Sequence, residues 1–99
     1  MAVRKRFTGD HGPSEVRLRP SLKKPIAAAQ KRLGLRLRQL REERDLTQEQ
    51  AAELTGLHAK HLSVIENAGV NVTFSSLVAL AVAYKVSLSA FFEASPVLR

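Results

Sequence analysis

The sequence predicts an all-α domain of five helices behind a flexible basic N-terminal extension. Apolar residues recur at three- and four-residue spacing from residue 26 onward, which is the period of a helix buried on one face. Threonine or serine precedes three of these segments, as is typical of helix N-termini. Glycines and prolines interrupt residues 1–25, where no helical or strand period is sustained. We therefore predict an arm over residues 1–25, a helical domain over residues 26–94 and a C-terminal tail over residues 95–99.

The basic extension admits more than one interpretation. Val16–Leu22 alternates weakly with arginine, which is also the pattern of a short edge strand. As a flexible segment, the arm either lies along a polyanion such as a nucleic-acid backbone or serves as a solubilising tail, and the composition fits both.

Composition limits the class of protein. A chain of 99 residues with 44% hydrophobic residues has enough apolar surface for one small core and no room within it for a second domain. The absence of cysteine excludes disulfides, thiolate metal sites and cysteine nucleophiles. No apolar run approaches the ~20 residues of a membrane span, and the N-terminus lacks the apolar stretch of a signal peptide. We therefore expect a cytoplasmic protein with no membrane partner.

The net charge of +7 is concentrated in the first half of the chain. Residues 1–30 hold seven basic residues against two acidic ones, and residues 31–45 hold six against three. Residues 46–99 hold three against four and are slightly acidic. Electrostatic attraction to a polyanion should therefore come from the arm and the first helix.

The first predicted helix runs from Ile26 to Arg44. Its buried face is marked by leucines at helical spacing, namely Leu33, Leu37 and Leu40. Gly34 lies in its interior and costs roughly 1 kcal/mol relative to alanine, unless it allows another helix to approach closely. Arg36 and Arg38 are expected to be solvated, as charged helix faces usually are.

Residues 46–67 predict two short helices joined by a tight turn. Thr47 and Gln50 form a capping box, in which each side chain accepts a hydrogen bond from a backbone amide at the start of the helix. This helix should begin at Gln48 and stop at Gly56, because glycine most readily adopts the left-handed conformation that ends a helix.

The second of these helices has a buried side and an open side. His58 is its predicted cap, and Leu57 and Leu62 have the spacing of a hydrophobic staple. Leu62 and Ile65 mark the buried side, and the helix should end near residue 67. The opposite side is small or polar and consists of Lys60, Ser63, Val64 and Asn67. Two short helices, a glycine turn and a hydrogen-bonding outer face are the features of a helix-turn-helix motif that enters the DNA major groove.

Two further helices are predicted after a loop over residues 68–72. Thr73 caps the first of them, and its apolar positions are Phe74, Leu77, Leu80, Ala81 and Tyr84. Ser87 caps the last, a short helix that ends before Pro96 and carries Leu88, Phe91 and Phe92. We expect the aromatic residues Phe74, Tyr84 and Phe91 to fill the core rather than to line a ligand pocket.

The C-terminal apolar residues predict a dimer surface. Together, Phe92, Val97 and Leu98 exceed the apolar area that one small core can hide. Apolar surface of this kind is typically covered by another protein.

The segment after residue 46 is similar to a known family. Residues 46–92 resemble the helix-turn-helix domain of phage repressors, Cro proteins and their bacterial relatives, the XRE family. Matching residues lie at the family's spacing on both sides of the motif: Leu33-Gly34, Arg36-Leu37 and Leu40-Arg41-Glu42 upstream, and Ile65-Glu66, Phe74, Leu77, Leu80-Ala81, Val86-Ser87-Leu88 and Phe91 downstream. The resemblance covers about two thirds of the chain and implies a repressor-like fold that binds DNA.

The resemblance also implies base contacts by specific residues. The positions that face bases in the family correspond to Ala59, Lys60, His61 and Val64. Of these, Lys60 can donate to guanine O6 and N7, and His61 can donate to a purine acceptor. The Ala59 methyl group can contact a thymine methyl group.

Further residues match positions that contact the DNA backbone or stabilise the fold. Thr47, Gln48 and Asn67 correspond to backbone contacts in relatives. Gln48 lies in the first turn of its helix, where backbone amides and the helix dipole favour a phosphate oxygen. Arg41 and Glu66 match a pair that joins the first helix to the second motif helix, so we predict a structural ion pair between them.

The chain departs from the family in two places, and both weaken the case for DNA binding. Val64 replaces the polar or basic residue often found at that position. The loop over residues 69–73 lacks the basic residues with which relatives hold the DNA backbone.

The sequence indicates no catalytic or metal chemistry. His58 and His61 are three residues apart, but no carboxylate or thiol completes a metal site with them in that segment. The sequence has no glycine-rich phosphate loop, no nucleophile and base at a recognisable spacing, and no paired carboxylates outside solvated helix faces. We therefore predict a protein with no cofactor and no enzymatic activity.

The sequence thus predicts a transcriptional regulator that binds specific double-stranded DNA as a homodimer. The alternative is a protein-binding module on the same scaffold, such as the antitoxin of a toxin–antitoxin pair. In that case the toxin is the main partner and DNA binding is secondary. A small chain without an effector domain fits both interpretations.

Overall fold

The computed structural model describes residues 17–69 and 72–93. Within these residues the fold consists of four α-helices: α1 (Lys23–Glu43), α2 (Gln48–Thr55), α3 (Ala59–Ala68) and α4 (Phe74–Tyr84). Two 3₁₀ segments flank them, an N-terminal turn at Pro20–Leu22 and a C-terminal helix at Leu88–Phe92. None of the described helices is both long and apolar enough to cross a membrane. The predicted all-α class is confirmed for this part of the chain.

The predicted fifth α-helix is wrong, because its residues form a 3₁₀ helix instead. The amide of Ala90 donates to the carbonyl of Ser87 at 3.0 Å, which is the three-residue spacing of a 3₁₀ turn. The Ser87 hydroxyl lies 3.0 Å from that of Ser89 and does not cap the helix. This segment of five residues is therefore shorter and more tightly wound than an α-helix.

The first helix begins at Lys23, before the predicted start at Ile26. Pro25 lies in its first turn, where a missing amide hydrogen costs nothing because an amide there has no partner within the helix. The preceding residues form the N-terminal 3₁₀ turn, and no strand occurs between residues 17 and 22. The edge-strand interpretation is therefore wrong for those residues.

Three predicted features lie partly or wholly outside the described residues. These are the arm as far as residue 16, the middle of the loop at residues 70 and 71, and the tail over residues 95–99 with Val97 and Leu98. What the sequence predicts for them stays a prediction.

One apolar core holds the helices together. α1 packs mainly on α3, α2 packs on both α3 and α4, and the C-terminal 3₁₀ helix packs on α1 and α4. The largest fully buried side chains are those of Leu37, Leu62, Ile65, Leu80, Tyr84 and Phe91. Tyr84 and Phe91 thus fill the core as predicted. Phe74 does not, because it is the first residue of α4 and no described helix covers it, which leaves it 68% exposed.

Two arginines fix the C-terminal part of the domain to α1. Arg36 Nε donates to the Ala90 carbonyl at 2.8 Å, and Arg44 Nε donates to the Tyr84 carbonyl at 2.6 Å. Each guanidinium thereby satisfies a carbonyl in the last turn of a helix. The prediction that Arg36 is solvated is wrong for this reason, whereas Arg38 is exposed in a surface ion pair.

The backbones of α1 and α3 touch at Gly34. A Cβ atom at this position would lie 2.6 Å from the carbonyl oxygen of Glu66 and 2.7 Å from that of Ile65, closer than real contacts allow. Gly69, directly after α3, has a φ of +68°, and a Cβ there would overlap the carbonyl of Gln30. The close-approach interpretation of Gly34 is confirmed, and the two glycines let α3 lie directly on the backbone of α1.

We predict that Gly34→Ala lowers the free energy of unfolding by about 1 to 3 kcal/mol, because the added methyl group forces α1 away from α3. In an exposed helix the same change should raise stability by up to about 1 kcal/mol, so the sign of the effect tests the contact. Urea denaturation followed by circular dichroism measures it. Leu35→Ala, on the exposed side of α1, is the control and should change stability by less than about 0.5 kcal/mol. An unchanged or raised stability for Gly34→Ala would contradict the close packing.

Candidate nucleic-acid interface

The unit formed by α2, the turn and α3 follows the local signals in its sequence. Thr47 Oγ1 accepts from the Gln50 amide at 3.0 Å, and the Gln50 side chain accepts from the Thr47 amide at 2.9 Å, so the predicted capping box is confirmed. Gly56 ends α2 in the left-handed conformation, with a φ of +86°. His58 precedes α3, but its side chain makes no capping hydrogen bond. Leu57 packs against the core instead, and this apolar contact fixes the entry into α3.

α3 has a buried side and an open side. Leu62 and Ile65 are fully buried, as predicted. The opposite side is exposed or half-buried and forms the outer face of α3, with Lys60, Ser63, Val64 and Asn67. Among the described residues, the side chains of Lys60 and Asn67 make no hydrogen bond or ion pair. These two side chains are therefore available to a ligand.

Two predicted base contacts lie beside the outer face rather than on it. Ala59 and His61 are both half-buried, and the helical period places them on opposite flanks of Lys60. The His61 Nε2 atom is shielded from solvent and has no hydrogen-bond partner in the described part of the chain. His61 would therefore use this nitrogen only after a rotation of its side chain. Within residues 17–69 and 72–93, no group of three or more histidine, cysteine, aspartate or glutamate residues is placed to hold a metal ion.

A buried ion pair joins α1 to α3. Arg41 Nε lies 2.7 Å from Glu66 Oε2, and Arg41 Nη2 lies 3.0 Å from Glu66 Oε1, which is a bidentate arrangement. Only 8% of Arg41 and 3% of Glu66 is exposed. The hydrogen bonds to Glu66 raise the pKa of Arg41 above its ordinary value, so the guanidinium stays charged. Arg41 Nη1 also donates to the carbonyl of Leu46 at 2.6 Å, which fixes the chain that leads into α2.

The side chain of Gln48 belongs to the same network. Its Nε2 donates to Glu66 Oε1 at 3.1 Å, so the residue predicted to hold a phosphate is tied to α3. One amide hydrogen and the amide oxygen of Gln48 are left for another ligand. Sequence reasoning missed this contact. The available signal was the buried carboxylate itself, since it has about four lone-pair sites and the bidentate guanidinium fills only two.

Thr47 and Asn67 are both accessible. Thr47 is exposed, and although its oxygen accepts from the Gln50 amide, its hydroxyl hydrogen is still able to donate. Asn67 is exposed in the last turn of α3. Since Gln48 is bonded to Glu66, the residue next to Asn67, the start of α2 and the end of α3 lie side by side.

Positive charge lies mainly on α1 and on the segment before it. The exposed basic residues there are Arg17, Arg19, Lys23, Lys24, Lys31, Arg32 and Arg38. In α2, α3 and α4 the only lysine or arginine is Lys60. A polyanion is therefore attracted chiefly by α1 and meets a nearly neutral surface at α3.

The geometry of α2 and α3 agrees with a comparison of the sequence with known families. The family described as "Helix-turn-helix domain" matches residues 32–90. The chain belongs to this helix-turn-helix family. The match runs from the middle of α1 into the C-terminal 3₁₀ helix, and the predicted resemblance to XRE-type regulators is confirmed.

Individual relatives of this helix-turn-helix domain are similar over the same region. The HTH-type transcriptional regulator PuuR of Escherichia coli (strain K12) is 42% identical over 60 residues. These residues make up 61% of this chain and 32% of PuuR, so the chain spans about a third of the length of that relative.

Solved structures of related proteins have the same fold. The restriction-modification controller protein C.AhdI from Aeromonas hydrophila aligns with a TM-score of 0.63 and 32% identity, over 66% of this chain and 98% of its own. An HTH_3 family transcriptional regulator from Vibrio cholerae aligns with a TM-score of 0.65 and 30% identity, over 73% of this chain and 40% of the other.

Removing the buried carboxylate should destabilise the domain strongly. We predict that Glu66→Ala lowers the free energy of unfolding by about 3 to 5 kcal/mol, because it leaves the Arg41 guanidinium buried without a counter-charge. Glu42→Ala removes the surface partner of Arg38; it is the matched control and should cost less than about 1 kcal/mol. Thermal and urea denaturation measure both variants. A Glu66→Ala protein that melts within about two degrees of the parent would contradict this cost of leaving the Arg41 charge buried without a partner.

Proposed function

We propose that this domain is a sequence-specific transcriptional regulator that binds the DNA major groove through the outer face of α3, as a homodimer. The observation that carries the proposal is the outer face itself. Lys60 and Asn67 have no partner among the described residues, and they project from a helix that the Arg41–Glu66 pair holds in place. Direct readout of bases requires this combination of a rigid helix and free polar side chains.

The proposed base contacts follow from the chemistry of each side chain. Lys60 donates to guanine O6 and N7 from the centre of the outer face. Ala59 and His61 contact neighbouring bases from the flanks, Ala59 through its methyl group and His61 as a donor to a purine. Val64 lies one turn after Lys60 and faces the next base pair.

The proposed backbone contacts lie where α2 begins and α3 ends. Gln48 uses its remaining amide hydrogen, together with the backbone amides of the first turn of α2, to bind a phosphate oxygen. The Thr47 hydroxyl and the Asn67 amide donate to phosphate oxygens beside it. Glu66 holds the Gln48 side chain, which supports a phosphate site that is ordered before DNA binds.

An uncharged face of α4 supports the homodimer. Phe74, Val78 and Val82 lie four residues apart on one side of the helix and are 68%, 39% and 72% exposed. We call these three residues the α4 stripe. No residue of α4 carries a charge. An exposed apolar row of this length is typical of a surface that another protein covers.

A second copy of the chain is a suitable partner for the α4 stripe. Two copies each carry a net charge of +7 and repel over much of their surface. Through the α4 stripe they meet without placing like charges together. About a two-fold axis near Val78, Phe74 of one protomer packs against Val82 of its partner, which is a self-complementary arrangement. Two α3 helices related by this axis would contact half-sites one helical turn apart, about 34 to 36 Å.

The second candidate function rests on the same stripe. An apolar row also fits a protein of another kind, such as the toxin of a toxin–antitoxin pair, with DNA binding secondary. The assembly state of the purified chain distinguishes the two functions, because a homodimer forms in the absence of any other protein.

We predict that Val82→Asp converts the dimer to a monomer at micromolar concentration, because each copy then places a carboxylate in the apolar contact. Sedimentation velocity measures the change. Leu35→Asp is the matched control, since Leu35 is 58% exposed on α1 and its substitution should leave assembly unchanged. A parent protein that is monomeric under the same conditions would contradict the homodimer and favour the protein-binding alternative.

A gel shift with random genomic fragments, followed by sequencing of the retained fragments, tests the proposed function. We predict that the retained fragments share a site with two inverted half-sites. On that site Lys60→Ala should lose preference at one base pair in each half-site, worth about 1 to 3 kcal/mol. Lys31→Ala, on the exposed side of α1, should instead weaken all sequences alike and reduce the slope of log affinity against log salt by about 0.9. If Lys60→Ala loses the same affinity for specific DNA as for random DNA, Lys60 contacts a phosphate and not a base.

A further inference from the structure

The outer face of α3 contains an apolar hollow. His58, Lys60, His61 and Val64 line an open concavity of about 480 Å³. The exposed surface of its lining is almost entirely carbon. A helix that is proposed to face the polar edges of bases therefore has a mainly apolar patch beside Lys60.

Three residues of the hollow contribute carbon, each for its own reason. Val64 is 44% exposed and has only its two methyl groups to offer. His61 contributes a ring whose Nε2 atom is shielded from solvent. Lys60 can line the hollow with its methylene chain while its ammonium group extends beyond it into water or towards a base. The exposed lining of the hollow thus offers mainly dispersion contacts.

We propose that Val64 and this hollow read the 5-methyl group of a pyrimidine, with thymine as the base concerned. The inference rests on the proposed binding of α3 in the major groove. Val64 stands where the family pattern often has a polar or basic residue. The inference gives it a role in specificity that does not involve hydrogen bonding.

The chemistry of the major groove supports this assignment. The thymine methyl group is the one apolar feature that the four standard bases present there. Against a carbon-lined surface, a cytosine or adenine amino group would lose its water without gaining a partner, which is unfavourable. A methyl group in the same place loses no hydrogen bond and buries apolar area, so the hollow favours a base pair that carries one.

The expected size of the effect is modest and measurable. Burying one methyl group changes an affinity by roughly fourfold. A homodimer makes the contact once in each half-site, so removing both methyl groups should weaken binding by roughly 15-fold.

The test removes methyl groups from the DNA one position at a time. On the site obtained from retained genomic fragments, each thymine is replaced by deoxyuridine, which keeps every hydrogen-bonding group and lacks only the methyl group. We expect one thymine per half-site at which this replacement costs roughly fourfold, with little effect elsewhere. Cytosine and 5-methylcytosine at that position form a second pair of probes, and 5-methylcytosine should bind more tightly than cytosine if the methyl group is what is read.

Protein variants assign the effect to Val64. Val64→Ala should reduce the thymine preference over deoxyuridine to below about twofold, because the alanine side chain leaves a gap where the valine methyl groups were. Leu35→Ala truncates a similarly exposed apolar residue on α1 and should keep the full preference. Circular dichroism of both variants checks that the fold is intact.

The outcomes separate this inference from the proposed function. A parent that binds a specific site but tolerates every deoxyuridine within about twofold would overturn the inference alone, as would an equal thymine preference in Val64→Ala. A parent that retains no DNA fragment would overturn the proposed function and the inference with it.

Discussion

The buried pair between Arg41 and Glu66 is the interaction on which the arrangement of the helices depends. The pair joins α1 to α3. Arg41 also donates to the carbonyl of Leu46 at the entry to α2, and Glu66 also accepts a hydrogen bond from the side-chain amide of Gln48. One guanidinium and one carboxylate therefore fix α1, α3 and the start of α2. Compared with apolar side chains of similar volume, a buried pair adds little net stability, because the loss of hydration offsets the Coulomb attraction, although removing one partner alone is costly. Its main contribution is orientation, since two parallel hydrogen bonds form only when α3 lies at one angle to α1.

The sequence predicted well what depends on residues close together in the chain. α2 begins at Gln48 and ends before Gly56 as predicted, because a capping box and a left-handed glycine act within one or two helical turns. Several features that depend on distant residues were not predicted, whereas the Arg41–Glu66 pair was predicted only through the family resemblance. Three such features depend on where elements distant in the sequence begin and end. They are the hydrogen bond of Arg36 to the C-terminal 3₁₀ helix, the exposure of Phe74 and the 3₁₀ winding of the chain after Ser87.

In the candidate site, too, some features were predicted from the sequence and others were not. The helical period predicted which residues of α3 face outward, because the side of a helix follows directly from spacing. It did not predict that Gln48 bonds to Glu66, that His61 Nε2 is shielded, or that Val64 lies in an apolar hollow. These features arise where two helices or several side chains meet, and no spacing along the chain encodes them. The contacts of individual residues with DNA stay predictions.

The contact between Gly69 and the carbonyl of Gln30 gives α3 a second fixed point, at the end of the helix that lies beyond Glu66. Held on one side by an ion pair and at its end by backbone packing, α3 has little freedom to tilt or slide. In a complex with DNA, such a helix loses little conformational entropy, but it cannot adapt to a poorly matched sequence. On the proposed binding of α3 to DNA, the duplex would have to bend or change its twist instead, and the free energy of that deformation depends on its base steps. Selectivity would then extend to base pairs that no side chain of the protein touches.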